Sequence, residues 1–232
     1  GERILQLMDL KPAHIVVPAA HITRDEVGEL FEKDGISKDI GNHDPTYLTQ
    51  CARYSLRQEF IEADAGMTGC NFGVASTGDC VVCTNEGNAD MSTSIPKLHI
   101  VSMGIDKVIP NYDALAVFQR LLARSATGQP SVSFTSQFRK ARPGAEMHVI
   151  LVDNGRSNII ADQLHWRTAK CIRCGACMNT CPVYRRSMGY SYNYFIPGPI
   201  GINLGMVHNP KKHSGNVSAC SLCLSCDLVC PV

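Results

Sequence analysis

The sequence predicts an α/β N-terminal domain followed by a smaller, α-helical, cysteine-rich domain. Strand-like and helix-like patterns alternate through roughly the first 160 residues, and eight of the twelve cysteines stand in two identical runs after residue 170. Charge changes along the chain as well: residues 166–232 hold seven Lys or Arg against one acidic residue, in a 232-residue chain whose net charge is only +1.

The elements follow in chain order. An apolar stretch at residues 14–18 reads as a strand, and the Thr23 to Glu26 spacing fits a capping box that starts a helix. Asp44-Pro45 starts a second helix, with Leu48, Ala52, Leu56 and Phe60 on one face. Strand-like runs come at residues 72–76, 80–84, 98–103 and 147–152, with a helix near 112–124 burying Leu115, Phe118 and Leu122. This mixture indicates an α/β sandwich. The domain boundary is expected near residues 160–168, just after Asp153-Asn154-Gly155-Arg156-Ser157, giving domains 1–162 and 163–232. Because the chain opens on Gly1 and stops two residues after Cys230, both domains are expected to be truncated, the first at its N-terminus and the second at its C-terminus.

Twelve cysteines without a secretory signal point to metals or catalysis, since a reducing cytosol keeps thiols free of disulfides. Cys171, Cys174, Cys177 and Cys181 followed by Pro182 form CxxCxxCxxxCP, and Cys220, Cys223, Cys226 and Cys230 followed by Pro231 repeat it. A cuboidal cluster takes three thiolates from one tight loop and a fourth from elsewhere. In two-cluster ferredoxins the fourth cysteine of each run ligates the other cluster. The pattern therefore predicts two 4Fe-4S clusters, one held by Cys171, Cys174, Cys177 and Cys230, the other by Cys220, Cys223, Cys226 and Cys181. The proline after each fourth cysteine fixes φ and turns the chain away. Paired zinc ribbons are the alternative, but zinc favours separated CxxC pairs.

Between Cys181 and Cys220 lies a longer stretch than a minimal ferredoxin needs, with Tyr190, Tyr192, Tyr194 and the Pro197-Gly198-Pro199-Ile200-Gly201 turn. It favours a helical ferredoxin of the succinate dehydrogenase type, with the tyrosines excluding solvent by packing. Gly175 in the first loop is matched by Leu224 in the second, so unequal cluster potentials are expected. A cluster with four thiolates is a net anion, and Lys170, Arg173, Arg185 and Arg186 would offset it. That accounts for the basic tail better than nucleic acid, because the aromatic-basic interleaving of single-strand binders is absent.

Other motifs are weaker. Glu86, in Asn85-Glu86-Gly87-Asn88 after a predicted strand, could serve as nucleophile or base, though a turn with Asn and Gly supplying unusual dihedrals is the plainer reading. The stretch from Ala63-Asp64-Ala65-Gly66 to Gly73 is glycine-spaced but holds no nucleotide-binding pattern. Cys80 and Cys83 form a CxxC, yet strand residues three apart face opposite ways, so Cys51, Cys70, Cys80 and Cys83 read as buried free thiols. The histidines show no HExxH spacing, and His14 and His21 read as ordinary residues. No apolar run approaches the roughly 18 residues of a spanning helix, so a cytoplasmic protein is expected, peripheral to the membrane only through partners.

Ala63-Asp64-Ala65-Gly66, Thr84-Asn85-Glu86-Gly87-Asn88, the run from Leu122 to Gln129, Asp153-Asn154-Gly155-Arg156-Ser157 and Cys171-Ile172-Arg173-Cys174-Gly175-Ala176-Cys177 together resemble the lactate utilization protein B family. The resemblance extends through Cys181-Pro182-Val183-Tyr184-Arg185-Arg186 and the Pro197 to Gly201 turn, nearly the whole chain. It implies a LUD domain with the sugar-phosphate isomerase and coenzyme A transferase fold, followed by a helical ferredoxin. It further implies an iron-sulfur electron-transfer subunit, without catalytic residues of its own, in a three-part complex that oxidises L-lactate to pyruvate with two other subunits. The alternative is an α/β domain that itself oxidises a hydroxy acid or handles an acyl group through Glu86, since related transferases use a glutamate nucleophile. A third reading is an assembly protein whose clusters only brace the C-terminal domain. No flavin or nicotinamide motif appears, and none identifies the electron acceptor.

Overall fold

The computed structural model describes residues 1–11, 18–19, 21–191 and 196–232. All but Pro18 of the strand expected at residues 14–18 lies outside the described residues, as do Tyr192, Tyr194 and the side chain of Tyr190. The chain forms two compact units, Gly1–Ala63 and Asp64–Val232.

The first unit is helical, with α1 (Glu2–Leu7), α2 (Arg24–Lys33) and α3 (Pro45–Glu62). The capping box at α2 is present: Glu26 N donates to Thr23 Oγ1 at 3.3 Å and Thr23 N to Glu26 Oε2 at 2.7 Å. Asp44 caps α3, accepting from Tyr47 N at 3.0 Å with Pro45 in the first turn. Leu5, Phe31 and Leu48 are buried, one from each helix. Ala52, Leu56 and Phe60 are half-buried, so the expected face of α3 exists but only its first turn is fully covered.

The second unit carries the strands β1 (Ala65–Thr68), β2 (Phe72–Val74), β3 (Asp79–Thr84), β4 (Leu98–Gly104), β5 (Val108–Ile109), β6 (Phe134–Phe138) and β7 (Glu146–Val152). One sheet runs β1-β4-β7, all parallel, and the other runs β5-β2-β3-β6. In the second sheet β2/β3 and β3/β6 are antiparallel and β2/β5 parallel. Helix α4 (Asn88–Ser94) follows β3, and α5 (Tyr112–Thr127) follows β5. Asn111 caps α5, and Gly128, with φ of 75°, ends it in the left-handed conformation.

The four strands and the helix expected in this region are present: β4 buries Val101 and Met103, β7 leaves Val149, Ile150 and Leu151 exposed and is held by its pairing with β4, and β2, β3, β5 and α5 share one core. Phe72, Val74, Val81, Ile109, Leu115 and Leu122 form it, and the Phe72 and Phe118 rings stack with centroids 5.6 Å apart. Strands β1, β5 and β6 were not foreseen: β5 has two residues, and β6 reads Phe-Thr-Ser-Gln-Phe with three of five residues exposed. They are strands because neighbours satisfy their backbone groups, with Ile109 of β5 also packing in the core, rather than because of any apolar alternation along the sequence.

The remainder is helical: α6 (Arg156–Ala161), α7 (Ala176–Thr180), α8 (Pro182–Ser187), α9 (Gly198–His208), α10 (Pro210–Ser218) and α11 (Ser225–Leu228). Ile159 of α6 packs with Ile196, Ile200 and Leu204 in a second core. Among the described residues no helix is long and apolar enough to cross a membrane.

Candidate metal centre

The first cysteine run begins where the short 3-10 turn Trp166–Lys170 ends. Arg173 and Gly175 then take positive φ of 63° and 83°, which wraps the chain tightly before α7 starts at Ala176. Gly175 does this without strain because it has no Cβ. Cys181 closes α7 and caps α8, its sulfur accepting from Tyr184 N at 3.4 Å, and Pro182 opens α8 as expected of a residue with no amide hydrogen.

Cys171, Cys174 and Cys177 face one cavity of about 220 Å³, and Cys226 and Cys230 line it from the second run. The cavity thus gathers the four residues expected for one cluster, with Cys226 beside them. Its walls include Thr168, Ile200 and Asn203, and Asn203 Nδ2 donates to Thr168 Oγ1 at 2.9 Å. Cys181, Cys220 and Cys223 are not part of this cavity's lining. Cys220 and Cys223 lie close enough to Cys226 for their charges to push its thiol up further, after burial.

Among the described residues no three Cys, His, Asp or Glu side chains converge on a single ion position. The thiols instead surround a space several times the roughly 30 Å³ that one water molecule occupies in the liquid. Five thiols line it beside the carboxylate of Asp227, and a sulfur-dominated donor set suits iron-sulfur ligation. The residues present therefore fit a multi-atom iron-sulfur group.

The two runs differ electrostatically. Burial, with Cys171 and Cys174 nearby, pushes the Cys177 thiol up to about 12. Burial likewise raises Cys174, which is 8% exposed. Cys223 is exposed, and hydrogen bonds with the side chain and backbone of Ser225 hold its thiol down at about 7. Nearby, burial and then Arg173 push the Lys107 ammonium down to about 8. Of the other expected cations, Lys170 sits 4.6 Å from the centroid of Trp166, while Arg185 and Arg186 are exposed.

The strand-rich part reaches the cysteine helices at several points. Ile172, Cys174 and Ala176 are members of the α/β core itself. Arg173 Nη2 donates to Asp106 Oδ2 at 3.0 Å, Asn179 Nδ2 to the Ala126 carbonyl at 3.0 Å, and His208 Nε2 to the Asn154 carbonyl at 2.8 Å. Two motifs quoted above, Leu122 to Gln129 and Asp153 to Ser157, thus carry contacts to the cysteine region. Asp106 was not among the sequence candidates; its one signal there is its place shortly after the run that ends in β4 (Leu98–Gly104).

The remaining candidates separate from this centre. Glu86 is exposed in the turn between β3 and α4, with its amide donating to Thr84 Oγ1 at 3.1 Å. That turn uses ordinary dihedrals: Gly87 has φ of −76°, and Asn85 contributes hydrogen bonds with Gln129 and Ser133 instead. Cys80 is buried, whereas Cys51, Cys70 and Cys83 are only half-buried. Cys83 packs against the core that holds Val81, and Cys80 on the other face of β3 neighbours Cys70, which lowers the Cys80 thiol and raises that of Cys70.

The LUD domain family matches residues 4–154, and the 4Fe-4S dicluster domain matches residues 167–232. Lactate utilization protein B of Bacillus pumilus is 43% identical over 240 residues, covering 100% of this chain and 50% of that protein. The protein of the same name from Shouchella clausii is 41% identical over 241 residues, with the same two coverages. An uncharacterized electron transport protein of Escherichia coli, YkgF, is 41% identical over 240 residues, again 100% of this chain and 50% of its own length. The chain thus spans about half the length of the curated relatives it matches.

Proposed function

This chain belongs to the LUD-domain family, with a 4Fe-4S dicluster domain behind the LUD domain, and on that footing we propose that it is an iron-sulfur electron-transfer subunit in the oxidation of L-lactate to pyruvate. The observation that carries this reading is the cavity of about 220 Å³ lined by cysteines of both runs. In the proposal Cys171, Cys174, Cys177 and Cys230 hold one 4Fe-4S cluster, and Cys220, Cys223, Cys226 and Cys181 hold a second. Such a cluster exchanges one electron at a time. The chain's own residues supply the ligands and a partly dry wall of Ile172, Ile200 and Pro199 around the first site. With Glu86 exposed and apart from the cysteines, lactate oxidation itself falls to two partner subunits in this proposal, which takes residues 1–162 and 163–232 as its two domains.

The test is anaerobic reconstitution, followed by L-lactate with and without those two partners. Iron and sulfide are expected at eight of each per chain, and the electron paramagnetic resonance signal of reduced clusters only when the partners are present. Reduction by lactate in the isolated chain would overturn the carrier reading in favour of an oxidation site within the α/β domain, and Glu86→Gln would then be the first variant to make.

A further inference from the structure

We infer that Asp106 is a positioning residue for the first cysteine run: it ties the strand ends of the α/β domain to the loop carrying Cys171 and Cys174, and its carboxylate lowers the potential of the group held there. The inference rests on the electron-transfer reading above and extends it to residues outside both cysteine motifs.

Asp106 lies in the 3-10 turn Ile105–Lys107 that follows β4, with its side chain only 2% exposed. A buried carboxylate needs partners, and this one has two. Arg156 Nε donates to Oδ1 at 2.7 Å and Arg173 Nη2 to Oδ2 at 3.0 Å. Arg156 belongs to Asp153-Asn154-Gly155-Arg156-Ser157, the turn after β7; Gly155 takes φ of 79° there, and Arg156 Nη1 also donates to the Asp153 carbonyl at 3.0 Å. Arg173 stands between Cys171 and Cys174 at φ of 63°, a conformation that is unfavourable for a residue with a Cβ. Asp106 therefore joins three segments: the end of β4, the end of β7 and the cysteine loop.

Gly104 shows how closely the pair is built in. A Cβ there would come within 2.3 Å of Asp106 Oδ1 and 2.9 Å of Arg156 Nε, so any other residue at the strand end would displace the ion pair from this geometry. The three charged groups sum to one net positive charge. Largely removed from water, that charge acts through a lower dielectric than a surface lysine would. A positive charge favours the reduced, more negative state of a neighbouring redox group. Taking away the carboxylate should ease reduction, and taking away the guanidinium should hinder it.

The experiment is a redox titration followed by electron paramagnetic resonance on the anaerobically reconstituted full chain, comparing wild type with Asp106→Asn, Arg173→Gln, the double variant and Asp79→Asn. Asp79 is a control: a nearly buried carboxylate in the same domain, paired with Arg139 at 2.9 Å. Asp106→Asn is expected to make one of two reduction waves about tenfold easier, close to 59 mV for one electron. Arg173→Gln should move that same wave the other way, with the double variant between them and Asp79→Asn at the wild-type value. The inference is overturned if both single variants move the wave in one direction, if neither moves it at full iron content, or if Asp79→Asn moves it as far. A wild-type chain that takes up no iron would instead sink the electron-transfer reading on which the inference rests.

Discussion

The two cysteine runs share a spacing and almost a backbone, but not a setting. Arg173 and Gly175 in the first take positive φ, and so do Leu222 and Leu224 in the second, each pair leading into a short helix that holds the third cysteine. In the first run Ile172, Cys174 and Ala176 pack into the α/β core. In the second, Leu222, Leu224 and Leu228 are 78%, 69% and 85% exposed. The spacing thus dictates how the chain wraps. What lies behind the wrap dictates how polar, how dry and how reactive its sulfurs are.

The contrast is widest in thiol chemistry. In cluster-free protein at pH 7, a thiol at about 7 is half thiolate, while one at about 12 is thiolate in roughly one molecule in 10⁵. Low-pKa thiolates are intrinsically weaker nucleophiles, so Cys223 is expected to react with iodoacetamide at least about 100-fold faster than Cys177. The Cys223 rate should rise as pH climbs through 7 and level off above it, with Cys177 still slow there. Peptide mass spectrometry after timed quenching reads both sites, and equal labelling would erase the difference.

Cys230→Ser probes whether the runs cooperate. Cys230 belongs to the second run by sequence but lines the cavity of the first. The variant is expected to lose about half of the bound iron, with a lone set of spectral features remaining. Full iron content would mean that each run serves itself.

Packing gives the next contrast. Ile172→Ala leaves a hole in the α/β core and should lower stability by about 2–5 kcal/mol in a chemical denaturation. Leu228→Ala in the second run should stay within about 0.5 kcal/mol, because that side chain is already in solvent. A smaller effect than the loss at Ile172 is conformational. Leu224 holds φ of 62°, so Leu224→Gly should stabilise the fold by about 1 kcal/mol, making the second loop resemble the first at Gly175. A destabilised Leu224→Gly protein would show that the leucine side chain has a buried partner.

Much of the fold was legible. Thr23 with Glu26, and Asp44 with Pro45, mark helix starts because capping uses residues adjacent in sequence. Strands β2, β3, β4 and β7 were readable from apolar runs. Strand β6 was not: Thr135, Ser136 and Gln137 carry no apolar alternation, and the strand exists because it pairs with Val81, Val82 and Cys83 of β3. Helix α4, Asn-Ala-Asp-Met-Ser-Thr-Ser, is too short and polar to show a period; Asp90 ties it to Ser136. Among the candidate ligands, spacing gave the expectation that Cys171, Cys174, Cys177 and Cys230 act together; the cavity is lined by those four and by Cys226 as well.

By itself the sequence determined the local geometry: the helix starts, the apolar strands, the wrap of each CxxCxxC loop and the proline that ends it. These depend on residues within a few positions of one another, where backbone preferences and ligand spacing act directly. Only the tertiary structure decided that the first loop is sealed into the α/β core while the second faces solvent, and that a carboxylate at a strand end grips an arginine 67 residues away. Burial and charge pairing are properties of neighbours in space, and no period or spacing along the chain encodes which distant residue will fill that place.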